Sequence, residues 1–163
     1  YSLPEAQVDR FMLKVVVGYP DQGEEKQIMK LMARTASREP LQAIIQPETI
    51  LEMRKLVDVV HVDEQIEDYI VRLVQATRPD SPVAPAAVKR CVQWGAGPRA
   101  SQSLALAAKA AAALAGRLNA AAEDVAAAAT IVLRHRLILN YRAEAEGLTA
   151  DTLVAEVLKA VKA

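Results

Sequence analysis

Residues 94–101 read Trp94-Gly95-Ala96-Gly97-Pro98-Arg99-Ala100-Ser101, and an alanine-rich run follows as far as Gly116. The paired glycines favour a turn, and Pro98 stands where a first helical residue loses nothing by lacking an N–H. Alanine has the highest helix propensity and no side-chain entropy to lose. The stretch predicts a long helix from Pro98, packing through Leu104, Ala107, Ala108, Ala111 and Leu114 and ending at Gly116. Such a face admits a neighbouring helix closely, so a helical bundle is expected.

Outward from this helix the pattern stays helical. One more helix is expected from about Ala121 to Leu137, and a last one after Thr149. Leu148 and Leu153 are placed as a hydrophobic staple, and Leu153, Val154, Val157, Leu158 and Val161 form the last helix's buried stripe. Toward the N-terminus, Asp63 is positioned to cap a helix with Ile66, Tyr69, Ile70, Leu73 and Val74 on one side. Glu64, Glu67, Asp68 and Arg72 face water on the other. Pro47 suits the start of a helix carrying Ile50, Met53, Leu56 and Val57. Asp21 and Glu24 make a capping-box pattern for a helix with Ile28, Leu31, Met32 and Thr35 along one face. Pro79, Pro82 and Pro85 mark a loop, and partial alternation over 88–94 reads as a short strand.

The run Phe11-Met-Leu-Lys-Val-Val-Val17 is apolar and β-branched and ends at Gly18, which reads as a buried strand. A lone strand cannot satisfy its own backbone groups, so its sheet would lie largely outside this chain. Left unpaired, the segment is expected to self-associate or stay disordered. The fold class read from the sequence is mainly α, with this strand and the helix behind it as the exception.

Composition narrows the function. Hydrophobic residues make up 52% of the chain, which suits a packed core rather than a disordered tail. Twenty basic residues balance twenty acidic ones, so the strong positive field of a nucleic-acid binder is absent. Cys91 is the single cysteine and has no partner for an internal disulfide, and the two histidines, His61 and His135, suggest no zinc site. No signal peptide or membrane-length apolar run is seen. A cytoplasmic protein with no nucleic-acid or membrane partner is expected.

Three stretches together resemble the MoxR family of AAA+ ATPases. Tyr1-Ser-Leu-Pro-Glu-Ala-Gln-Val-Asp-Arg-Phe11 is similar to the segment leading to the arginine before the last core strand. Trp94 to Ser101 resembles the sensor-2 motif of the lid, and His135-Arg-Leu-Ile-Leu-Asn-Tyr-Arg-Ala-Glu-Ala-Glu-Gly147 the family's C-terminal stretch. The resemblance implies that 1–42 is the end of an α/β nucleotide-binding core and 43–163 a helical lid. It departs from the family at Gly97, where a small polar residue is usual, and at Ala121-Ala122, where Thr-Pro often precedes Glu123-Asp124. The second change removes a helix cap worth about 1 kcal/mol unless Asn119 replaces it.

By this resemblance Arg10 is the arginine finger, presented to ATP in a neighbouring subunit. A planar guanidinium in a dry interface stabilises charge spread over the γ-phosphate oxygens, an effect of roughly 10³ to 10⁵ on turnover in related enzymes. Arg99 corresponds to sensor 2, with Gly97 and Pro98 shaping the turn that presents it. The plain alternatives are a surface Arg10 paired with Asp9 or Glu5, and a solubilising Arg99. Trp94 is expected to be a core anchor fixing the turn, Cys91 an inert apolar residue, and His135 structural or exposed. Glu123 and Asp124 suit a first helical turn.

No G-x-x-x-x-G-K-[ST] loop or acidic Walker-B strand occurs in these residues, so ATP and Mg2+ are expected in the full-length parent rather than held tightly here. The implied parent is a ring-forming, chaperone-like remodeller, hexameric, working beside von Willebrand factor A domain proteins. From a different class, the alternative is an independent helical protein-interaction module with no nucleotide role.

Overall fold

The computed structural model describes residues 3–35 and 40–163. Tyr1 and Ser2, which open the first of the three stretches, lie outside the described residues. Among the described residues the elements run α1 (Glu5–Val8), α2 (Gln22–Met32), α3 (Pro47–Val59), α4 (Glu64–Ala76), α5 (Ala86–Cys91), β1 (Val92–Trp94), α6 (Pro98–Leu114), α7 (Ala122–Leu133), β2 (Ile138–Leu139), α8 (Tyr141–Ala145) and α9 (Ala150–Ala160). The mainly helical reading holds.

The core is a bundle in which α6 packs along α7 and α4, and α9 closes against α7. Its centre is made of fully buried Leu73, Leu104, Leu133 and Leu153 with Val88, Val125, Val132 and Val157. The α6 stripe runs Ala100, Leu104, Ala108, Ala112, a strict four-residue spacing. Leu114, expected on that face, is 91% exposed, because the spacing of four carries the stripe to Ala112 and leaves Leu114 off it. Small side chains every four residues let the α7 backbone approach, so area is buried by proximity rather than bulk. Gly116 ends α6 with φ +71°, and Arg117 N–H donates to the Ala112 carbonyl at 2.8 Å while Gly116 N–H donates to Ala113 at 3.0 Å. This double closure satisfies the last carbonyls of the helix.

Caps fall where the sequence placed them in α2, α4 and α9. Asp21 and Glu24 exchange side-chain-to-backbone bonds at 2.8 and 3.0 Å. Asp63 accepts from Gln65 N–H at 3.0 Å, and Thr149 accepts from Thr152 N–H at 3.2 Å. Helix α7 starts one residue past Ala121 and stops at Leu133, short of the expected Leu137. Asn119 does not cap it. Instead the Asp124 side chain accepts from Ala121 N–H at 2.8 Å and from both terminal nitrogens of Arg117 at 2.6 and 2.9 Å. The lost hydroxyl cap is thus replaced by the reverse half of a capping box, backed by a bidentate ion pair.

The expected strand over Phe11–Val17 does not form. The segment opens in a bend at Phe11–Met12 and continues without ladder partners among the described residues, and Val15, Val16 and Val17 are exposed. Lys14 N–H donates to the Ile131 carbonyl at 2.9 Å and so links its backbone to the bundle. A strand needs a neighbour to receive its N–H and C=O groups, and no strand of the described chain lies beside it. The short strand expected over 88–94 is confined to β1, with Val88 in α5, and β1 pairs antiparallel with β2. Helices α2 and α3 form, yet Ile28, Leu31, Met32, Ile50, Met53 and Leu56 are all exposed.

Candidate functional site

The turn at 95–97 is fixed from α4. Thr77 is buried, its hydroxyl donates to the Val74 carbonyl at 2.6 Å, and Ala96 N–H donates back to that oxygen at 2.9 Å. Arg78 Nε donates to the Ala96 carbonyl at 3.0 Å. Gly95 is required by the closeness of this docking, since a Cβ there would lie 2.4 Å from the Thr77 carbonyl oxygen. Trp94 does not anchor the turn, contrary to expectation. It is 64% exposed, because β1 turns only Val92 into the core and the anchoring falls to Thr77 and Arg78.

With the turn held, Gly97 is the N-cap of α6, Pro98 its first residue and Arg99 its second. Gly97 offers no side-chain cap, and a Cβ there would meet nothing within 4 Å. Arg99 projects from this helix start, half exposed, with its Nη1 3.4 Å from Asp9 Oδ2. Asp9 follows α1 directly, and its other oxygen, Oδ1, accepts from Arg136 Nε at 3.1 Å.

Arg10 is exposed, and its side chain has no hydrogen-bond or ion-pair partner among the described residues. The plain alternative of pairing with Asp9 or Glu5 is not what is seen, because Asp9 is taken by Arg99 and Arg136. Arg10 and Arg99 line the same cavity of about 280 Å³, together with Asp9, Gln102, Ser103 and Arg136. Three guanidiniums face one carboxylate there, so the cavity favours an anion. The dipole at the start of α6 adds to that preference. Among the described residues no group of three or more His, Cys, Asp or Glu side chains is placed to hold a metal ion.

Arg136 and Asp9 were not singled out in the sequence, and Arg136 is the more informative. Its side chain is 1% exposed. The guanidinium donates to the carbonyls of Asp9 (3.1 Å), Phe11 (2.8 Å), Met12 (3.1 Å) and Val132, and to the Ser103 hydroxyl at 3.2 Å. Burial lowers its pKa and the Asp9 carboxylate opposes that shift. A signal was available, since Arg136 continues the buried α7 face of Val125, Ala129 and Val132 by a further step of four. His135 beside it is structural, as expected: Nε2 lies 2.9 Å from the Phe11 carbonyl oxygen and Nδ1 is buried without a partner among the described residues. Cys91 is buried, as its reading as an apolar residue requires, and its thiol also donates to Glu146 Oε2 at 3.8 Å.

Comparison with known proteins decides the family. The AAA lid domain family matches residues 84–157. Chaperone MoxR1 of Mycobacterium tuberculosis is 38% identical over 99% of this chain, which covers 42% of that protein. The chain matches the C-terminal portion of MoxR-type AAA+ proteins. An uncharacterized Bacillus subtilis protein, YeaC, is 36% identical over 99% of the chain and 48% of its own length. The crystal structure of a "putative ATPase" from Cytophaga hutchinsonii superposes with a TM-score of 0.89 at 36% identity, over 99% of this chain and 49% of that one. The MoxR-type chain thus spans about half the length of the relatives it matches. Helices α5 to α9 and the β1–β2 pair fall within the residues that match the AAA lid domain family, apart from the last residues of α9. Among the described residues no helix is long and apolar enough to cross a membrane.

Proposed function

We propose that this chain supplies two arginines for ATP hydrolysis in an assembled AAA+ ring, Arg10 as the arginine finger and Arg99 as sensor 2. The supporting observation is their placement on one cation-rich cavity, with Arg10 exposed and unpaired among the described residues, beside a carboxylate that is already engaged. An unpaired guanidinium is ready to meet charge arriving from outside the chain, and the α6 start brings a second guanidinium to the same opening. Arg10 acts on nucleotide held by a neighbouring subunit. Arg99 exchanges the Asp9 carboxylate for a phosphate oxygen when nucleotide is present.

Phosphoryl transfer spreads negative charge over the transferred group, and each arginine lowers the barrier by meeting that charge without reorganising. Bound Mg2+ supplies neutralisation across the phosphate oxygens. Its ligands, and the loop that cradles the phosphates, lie outside these residues. Residues 1–42 are assigned to the core domain and 43–163 to the lid. The ring, a hexamer, serves a chaperone-like remodelling activity in the cytoplasm, and proteins with von Willebrand factor A domains are its candidate partners.

The test is steady-state ATP turnover of the full-length protein carrying Arg10→Ala or Arg99→Ala, with ring assembly checked in each. Loss of turnover in intact rings supports the assignment. Wild-type turnover in both variants removes it and favours the helical interaction module without nucleotide role.

A further inference from the structure

Arg136 makes more polar contacts than any other side chain around the cavity, and the proposed function does not use it. A buried guanidinium is costly to desolvate, and where packing alone is needed an apolar side chain serves as well or better. The contacts of Arg136 show where that cost is offset. The carbonyls of Asp9, Phe11 and Met12 and the Asp9 carboxylate all accept from it, so it grips the chain on both sides of Arg10 and leaves the Arg10 side chain untouched.

Little else fixes this segment. Phe11 is 59% exposed and Leu13 39%, so apolar burial does not hold it, and α1 before it has no buried residue. The remaining links are the His135 contact to the Phe11 carbonyl, the Lys14 bond to Ile131, the Arg134 Nη1 bond to the Lys14 carbonyl at 3.4 Å and the 3.4 Å Arg99–Asp9 pair. The first three lie after Arg10 and the last, half exposed, before it, whereas Arg136 alone binds on both sides. A rigid fork with five donors suits several carbonyls at once, which a lysine ammonium does not. The same guanidinium reaches Ser103 on α6, one turn beyond Arg99.

We propose that Arg136 is a positioning residue for Arg10, a clasp from the end of α7 that sets the base from which the finger projects and its spacing from Arg99. The inference rests on the reading of Arg10 as the finger. A clasp raises turnover only through Arg10, whereas a merely structural arginine affects the protein whether or not Arg10 is present.

A double-mutant cycle on the full-length assembled protein separates the two, with Arg10→Ala, Arg136→Gln and their combination measured for kcat and KM. Misplacement of a catalytic group by about an ångström costs on the order of a hundredfold. Arg136→Gln is expected to lower kcat by about that factor with KM unchanged, and to cost nothing further in the Arg10→Ala background. Arg136→Lys, which keeps the charge and loses the fork, is expected to give an intermediate kcat with the same non-additivity, and it carries the test if the glutamine variant does not assemble. Wild-type kcat in the Arg136 variants, or losses that multiply with that of Arg10→Ala, overturns the clasp while leaving the finger standing. Wild-type turnover by Arg10→Ala itself overturns both.

Discussion

Arg136 Nε lies 3.1 Å from Asp9 Oδ1, an ion pair between residues 127 positions apart that ties the end of α7 to the segment just after α1. The other oxygen of the same carboxylate faces Arg99 at 3.4 Å. Asp9 therefore stands between a buried cation that holds the chain and a half-exposed one that is free to leave. Arg10, next in sequence, is bound to neither, and the physical consequences of that arrangement can be measured one at a time.

The Gly95 position should be intolerant and the Gly97 position tolerant. Gly95→Ala drives a methyl group into the Thr77 carbonyl, where the backbone must yield, and should destabilise by about 1 to 3 kcal/mol. Gly97→Ser meets no atom and adds an N-cap acceptor to α6, for a gain of roughly a few tenths of a kcal/mol. Urea midpoints of the two variants check this, and equal midpoints would contradict the docking of the turn on α4.

Asp124 carries the start of α7. Its hydrogen bonds from Arg117, then from Ala121 N–H, hold its carboxyl below the ordinary value of 3.8. A depressed folded pKa gives stability that is complete above the unfolded value and lost as pH falls through the folded one. Asp124→Ala should therefore cost about 1 kcal/mol at neutral pH, read by thermal unfolding, and the difference from wild type should shrink in strong acid.

His135 shapes stability in a different window. Burial chiefly lowers its pKa from 6.5, the Phe11 carbonyl opposing, and the unpartnered Nδ1 explains why a second proton is unwelcome. The folded pKa lies below the unfolded one, so the unfolded chain protonates first as pH falls. Stability is full above about 6.5 and declines below it. His135→Gln should flatten the decline that sets in below about pH 6.5, followed by urea midpoints as pH is lowered through that value. An unchanged slope would place the loss elsewhere.

Much of the bundle was legible because its signals are local. Asp21, Asp63 and Thr149 cap where short-range hydrogen bonding predicts, and the α4 and α9 stripes follow helical period. Phe11–Val17 misled because a strand is defined by its partners, which no local pattern supplies. Trp94 misled because size suggested burial, whereas the turn is held by a threonine hydroxyl and a glycine's missing side chain. For the candidate site, Arg10 and Arg99 were singled out through resemblance alone. Asp9 and Arg136 were not, since their meaning comes from contacts between distant parts of the chain.

The central claim is that Arg10 completes a site on another subunit, and mixed rings test it most directly. Full-length subunits carrying Arg10→Ala are mixed with subunits unable to bind ATP, each inactive in its own ring, and turnover is followed as the ratio is varied. The account predicts that activity returns in the mixture, because intact Arg10 from one subunit type meets nucleotide held by the other. No recovery at any ratio, in rings shown to contain both types, would contradict it.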